Sequence, residues 1–225
     1  MIYHIDTGLI FDKFKENCDC PLCAIQSIVE EQFLHEFLND AVMEDSTRAK
    51  VNKHGFCSKH FDKLFFRPNK LSVALQIQTR TSYIDKLIQE TSSAREAKKQ
   101  GEKIEKALTS CIICDLTRQS MEKYYKTIAK LFSTDKEFIK LFYTSKGFCL
   151  EHYSALLKYV AYAGNFQGEY AKTLTQVEKR SLARLKEDLD RFCNKHDYRN
   201  ATMPLGTAET ALPRMREKLY GKKED

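Results

Sequence analysis

Glycine and proline are scarce in this chain, at 8 and 4 of 225 residues. Sheets of short strands need both for their turns, and the alternating pattern of half-buried strands is almost absent too. A strand-and-turn architecture is therefore disfavoured. No uninterrupted apolar stretch approaches the ~20 residues that cross a bilayer, so no membrane is expected among the partners. The opening Met1-Ile2-Tyr3-His4-Ile5-Asp6 lacks the basic region, apolar run and small-residue cleavage site of a secretory signal. The expectation is a cytoplasmic protein, where thiols stay reduced and clustered cysteines bind metal more often than they pair. Also missing are a phosphate-binding Gly loop, an H-E-x-x-H helix, a nucleophile elbow and the H-x-E that a zinc deaminase needs beside C-x2-C. No catalytic residue can be nominated. Whether the chain is an enzyme stays open, with the balance against it.

What is present is an ordinary soluble composition, 42% hydrophobic and 30% charged, long enough to bury a sizeable core. Against that background the cysteines are organised. The first cluster reads Cys20-Pro-Leu-Cys23, then Gly55-Phe56-Cys57-Ser-Lys-His60; the second reads Cys111-Ile-Ile-Cys114, then Gly147-Phe148-Cys149-Leu-Glu-His152. Gaps of 33 and 34 residues separate the halves, and equivalent positions stand 91, 91, 92 and 92 residues apart. Apolar neighbours recur as well. Phe33 and Leu34 follow Cys23 as Tyr124 and Tyr125 follow Cys114, and Leu64 follows His60 as Leu156 follows His152. This is the pattern of an internal repeat.

The chemistry of the pattern is coordination. Zinc takes four thiolate or imidazole ligands in a tetrahedron. Two cysteines three apart can turn both sulfurs onto one ion, and a Cys and His three apart on a first helical turn face the same side. The expectation is two Zn2+ ions per chain in two Cys3His sites, one per repeat: Cys20, Cys23, Cys57 and His60 in the first, Cys111, Cys114, Cys149 and His152 in the second. Four protein ligands close the coordination shell, the mark of a structural ion. Haem attachment needs a His directly after the second Cys, where Ala24 and Asp115 stand. Iron–sulfur clusters usually take four thiolates. The gap far exceeds the dozen residues of a DNA-reading zinc finger.

Helical periodicity runs through Ile25, Ile28, Val29, Phe33, Leu34, Phe37 and Leu38, and through Leu174, Val177, Leu182, Leu185, Leu189 and Phe192 with Glu178 on the wet side. The reading is an all-α protein of two tandem pseudo-repeat modules and a long C-terminal helix. Its parts are 1–90, the first zinc-binding repeat; 91–106, a polar connector, solvated helix or mobile, broken at Gly101; 107–196, the second repeat with the long helix; and 197–225, a tail. Shorter helices are expected over Ser46–Asn52, from Cys57 with Phe61, Leu64 and Phe65 turned inward, and up to Tyr220.

Other candidates carry less. Cys18 has no counterpart, since Thr109 stands in its place, and reads as an idle thiol or an alternate ligand. Cys193 and His196 read as a packed thiol and a helix cap, or as a third half-site. His4, His35 and His54 default to surface or cap positions. The adjacent carboxylates Glu30–Glu31 and Glu187–Asp188 read as solvated and poor for acid–base work.

The C-P-x-C, the repeated G-F-C-x2-H and the tail Asp197-Tyr198-Arg199-Asn200 with Ala211-Leu212-Pro213-Arg214 resemble an uncharacterised bacterial family, a domain of unknown function common in Firmicutes. The resemblance covers most of the chain and implies no activity; Cys18 and Cys193 depart from its pattern. Two zinc ions add four charges and six thiolates remove six, so the formal +6 becomes about +4, a mild excess that does not require nucleic acid. The functional expectation is an intracellular zinc protein whose structural ions shape a surface for another protein. The rivals are a thiol or zinc redox sensor using Cys18, an enzyme with a pocket between the repeats near Tyr124, Tyr125 or Tyr159–Tyr162, and nucleic-acid binding through the Lys-rich connector and tail.

Overall fold

A computed structural model describes residues 5–16, 18–39, 42, 44–200 and 202–222. Among them there are eleven α-helices and no strand, and no helix is long and apolar enough to cross a membrane. The helices are α1 (Ile5–Lys15), α2 (Pro21–Leu38), α3 (Asp45–His54), α4 (Ser58–Phe65), α5 (Lys70–Asp85), α6 (Ala94–Thr109), α7 (Ile112–Thr134), α8 (Lys136–Thr144), α9 (Leu150–Lys158), α10 (Gln167–Lys195) and α11 (Ala211–Tyr220). His4 lies outside the described residues.

The punctuation follows local chemistry. Pro21 opens α2, where a missing N–H costs nothing. Asn69, Ser93 and Asp135 cap α5, α6 and α8 by accepting from the backbone N–H groups of Ser72, Glu96 and Phe138. Gly55 ends α3 with φ +64°. Gly164, at φ +56°, kinks the 3-10 segment Val160–Phe166 ahead of α10. The break expected at Gly101 does not occur. α6 runs through it unbroken, because one exposed glycine costs a helix only ~1 kcal/mol.

By its contacts the chain divides into two compact units, Met1–Ser27 with Met121–Asp225, and Ile28–Ser120. The boundaries fall inside α2 and α7. The first unit has an aromatic core: Phe14 packs edge-on to Phe138 at 5.0 Å, and Phe142 lies 5.5 Å from Phe132, 5.5 Å from Tyr170 and 5.6 Å from Phe148. α10 contributes Tyr170, Leu174, Val177 and Leu185 to this interior. Glu178 and Asp188, expected on wet faces, are buried there too. Glu178 pairs with Lys218 of α11 at 2.6 Å, and Asp188 with Arg214 at 2.8 Å. The seam of α10 thus carries charges wherever α11 supplies the partner.

The second unit buries Leu34, Phe37, Leu38, Val51, Leu64 and Val73 against Cys111, Ile112 and Ile113. Phe65, expected inward, is exposed beside Phe66. α4 ends there, and Leu64 alone fills the inward position of its last turn.

Candidate metal centre

Each ligand-bearing segment begins just before a helix and runs into its first turn. Cys20 and Cys111 immediately precede α2 and α7. Cys57 and Cys149 are the N-cap residues of α4 and α9, with nearly equal backbone angles (φ −70°, ψ 163° and φ −68°, ψ 159°). Their carbonyls accept the first helical bonds, from Phe61 and Tyr153. His60 and His152 then fall one turn on, facing their own cysteine at 3.2 and 3.1 Å from Nδ1 to sulfur. The residue before each N-cap cysteine anchors it in the core. Phe56 packs edge-on to Phe37 at 5.9 Å, and Phe148 is fully buried. Gly147 adopts φ +111°, and a Cβ there would come within 2.6 Å of the Ser181 side chain.

The eight predicted residues gather into two groups of four, each with its ligand atoms within 4.8 Å of one another. The grouping corrects the sequence expectation of one site per repeat. Cys20 and Cys23 meet Cys149 and His152, while Cys57 and His60 meet Cys111 and Cys114. Each group joins the C-x2-C of one motif copy to the C-x2-H of the other, and each lies within one unit. The reason lies in helix length. His60 reaches α2 at Glu30, seven residues beyond Cys23, which is ~10 Å along the axis. That is farther than ligands of one ion can stand apart.

In the first group, His152 Nδ1 lies 3.5 Å from the sulfurs of both Cys20 and Cys23, and the sulfurs of Cys23 and Cys149 are 3.7 Å apart. In the second, His60 Nδ1 lies 3.3 Å from both Cys111 and Cys114, and the sulfurs of Cys57 and Cys114 are 3.8 Å apart. One Nδ1 facing three sulfurs is an arrangement of ligands about a point. Three sulfurs cannot share one hydrogen well.

The far side of each imidazole is held. His152 Nε2 donates to Gln26 Oε1 at 2.9 Å. His60 Nε2 donates to Glu30, a carboxylate only 3% exposed that also pairs with Lys63 at 3.1 Å and Lys59 at 3.3 Å. Such a bond fixes the tautomer so that Nδ1 presents its lone pair. Sequence reading missed both partners and placed Glu30 on a wet face; Glu31 is the exposed member, paired with Arg67. Read along α2 alone, the Glu30 carboxylate gives no signal of burial, since its partner His60 comes from α4.

The electrostatics favour one thiolate in each group, Cys149 and Cys111, while burial and the neighbouring sulfurs push Cys20 and Cys114 up. Burial opposes charge on His60, yet contact with Cys111 and Glu30 pushes it up to about 10. Burial also opposes the Cys111 thiolate, but the His60 contact draws Cys111 down to about 6. Hydrogen bonds from Cys20 and Cys23 hold Cys149 far below the usual thiol range. Two helix N-termini converge on each group, α2 and α9 on the first and α4 and α7 on the second. Each contributes about half a positive charge.

The remaining candidates stand apart from both groups. Cys18 lies outside the four-atom set, its sulfur 3.9 Å from the Lys13 carbonyl. Cys193 is exposed rather than packed, and His196 forms the end of α10 against Phe192. His35 is exposed, and His54 pairs with Asp115 at 3.2 Å. Tyr124 is buried, while the Tyr125 ring lies tilted against both His152 and Tyr159.

The chain belongs to a family of unknown function, DUF6062, whose model matches residues 1–225. It is similar to an uncharacterized 23.9 kDa protein in the xynA 3' region of Caldicellulosiruptor sp. (strain Rt8B.4), 25% identical over 198 residues that cover 85% of this chain and 88% of the relative. No solved structure matches.

Proposed function

We propose that this member of the family binds two zinc ions, one in each Cys3His group, and that the ions are structural. The observation that carries the reading is the set of edges between ligand atoms. Zinc–sulfur bonds of ~2.3 Å and a zinc–nitrogen bond of ~2.0 Å in a tetrahedron require sulfur–sulfur edges of ~3.8 Å and nitrogen–sulfur edges of ~3.5 Å. The two groups have 3.7 and 3.8 Å for the first, and 3.1 to 3.5 Å for the second. The donor set of three thiolates and one imidazole suits zinc better than harder ions. Four protein ligands leave no position for a substrate, so the ion's work is to tie two distant chain segments together.

In that role the metal supports a scaffold, and activity belongs to the surfaces around it. We infer that this surface binds another protein inside the cell. The test begins with metal analysis of the purified chain. Two zinc per chain, with X-ray absorption giving three sulfurs and one nitrogen per ion, is the expected result; iron, or well under two zinc, refutes the metal reading. Affinity capture from the native host, with zinc-loaded and zinc-stripped protein side by side, tests the interaction. A partner held only by the loaded form is expected, and no loaded-specific partner refutes it.

A further inference from the structure

The first group has a thiol beside it that the second lacks in sequence. A cavity of about 130 Å³ in the first unit is lined by Cys18, Cys20, Cys23 and Cys149, with Arg214 and Lys218 on its wall. Three of these sulfurs belong to the metal group and the fourth does not. A single water needs only ~10–15 Å³ of such space, so the cavity admits a molecule the size of hydrogen peroxide. The two cations are tied in place, Arg214 by Asp19 and Asp188 and Lys218 by Glu178. Asp19 and Glu217 share that wall, so its charge is mixed, and partial exposure is what the site has in common with those of reactive cysteines. Cys18, Cys20 and Cys23 are half-buried and Cys149 buried, while Cys114 of the second group is exposed, so access does not favour the first centre. The extra thiol does, since Thr109 stands at the position matching Cys18.

We propose that this cavity is an oxidation site for a hydroperoxide, in which Cys18 converts an oxidised ligand of the Cys20–Cys23 pair into a disulfide and so releases the metal of the first centre. The proposal rests on the zinc reading. In the first step a ligand thiolate attacks the peroxide, the O–O bond breaks, and with hydrogen peroxide the sulfur is left as sulfenate with one water formed. In the second, the Cys18 sulfur attacks the sulfenyl sulfur and the S–O bond breaks. The Cys18 proton leaves with that oxygen, as hydroxide. One thiolate and one thiol are oxidised to a disulfide and one peroxide is reduced. The first centre loses one of its three thiolates and can no longer hold zinc tetrahedrally. A sulfenate formed in the second centre finds no thiol outside its own ligand set at the equivalent position.

The experiment uses the full chain loaded with two zinc ions and titrated with hydrogen peroxide. A chromogenic chelator follows released zinc, and alkylation with peptide mapping assigns each cysteine. The expected result is release of one zinc per chain ahead of the other, with Cys18 in a disulfide to Cys20 or Cys23. Cys18→Ser should slow that first release several-fold and leave the second unchanged; Cys18 is outside the ligand set, so this variant should load both ions. Parallel release of both ions, Cys18 recovered as a free thiol, or an unaffected Cys18→Ser variant overturns the proposal while leaving the zinc reading intact. A chain purified without zinc overturns both before peroxide is added.

Discussion

Glu30 offers a direct test of how the second centre is built. Its carboxylate, 3% exposed, accepts from His60 Nε2 and pairs with Lys63 and Lys59. Residues that orient a metal-ligating imidazole typically contribute ten- to a hundredfold in metal affinity. Glu30→Gln keeps an acceptor in nearly the same place and makes the second centre resemble the first, where Gln26 plays this part. The expected loss is therefore at the lower end, about tenfold or ~1.4 kcal/mol of binding. Glu30→Ala removes the acceptor and should reach ~100-fold. Lys59 and Lys63 keep 50% and 21% of their side chains exposed, so both ammonium groups stay hydrated when the carboxylate is removed. The assay is zinc competition against a chelator of known affinity. Protection from alkylation separates Cys57, Cys111 and Cys114 from Cys20, Cys23 and Cys149. Unchanged protection of the first three cysteines in Glu30→Ala, or equal loss in both sets, refutes the reasoning.

The crossed grouping predicts that Cys149→Ser exposes Cys20 and Cys23 to alkylation and spares Cys57; exposure of Cys111 and Cys114 instead would return the ligands to one site per repeat. Stripping both ions should cost helicity and cooperativity, seen as a lower and broader thermal transition by circular dichroism, because a bound ion would fix two distant chain segments to one point. Zinc affinity should also fall as pH is lowered, since protons compete for the thiolates, and an affinity independent of pH between 7 and 5 would argue against thiolate ligation. Gly147→Ala should destabilise the chain by roughly 2 kcal/mol or more, from its φ of +111° and a Cβ 2.6 Å from buried Ser181. Gly101→Ala, in open space on α6, should stabilise it by ~0.5–1 kcal/mol. Equal melting temperatures for the two glycine variants would contradict this account.

Helix class and the eight candidate ligands were legible in the sequence because both depend on short-range spacing. Apolar residues three and four apart place a face, and a Cys and His three apart share a helical turn whatever surrounds them. Charges on the buried faces were not legible. Glu30, Glu178 and Asp188 look solvated when read along their own helices, and become tolerable inside only because His60, Lys218 and Arg214 arrive from elsewhere. The same limit governs the metal groups. Each half of a Cys3His set is specified locally, but the two C-x2-C segments are chemically alike, and so are the two C-x2-H segments. Ligand chemistry alone therefore cannot say which halves join. That choice belongs to tertiary structure, where α2, ~27 Å long, carries the chain away from Cys23 and brings His60 back two turns farther on. Residue types determined that two metal groups could exist; helix lengths and packing decided that each would be shared between the two copies of the motif.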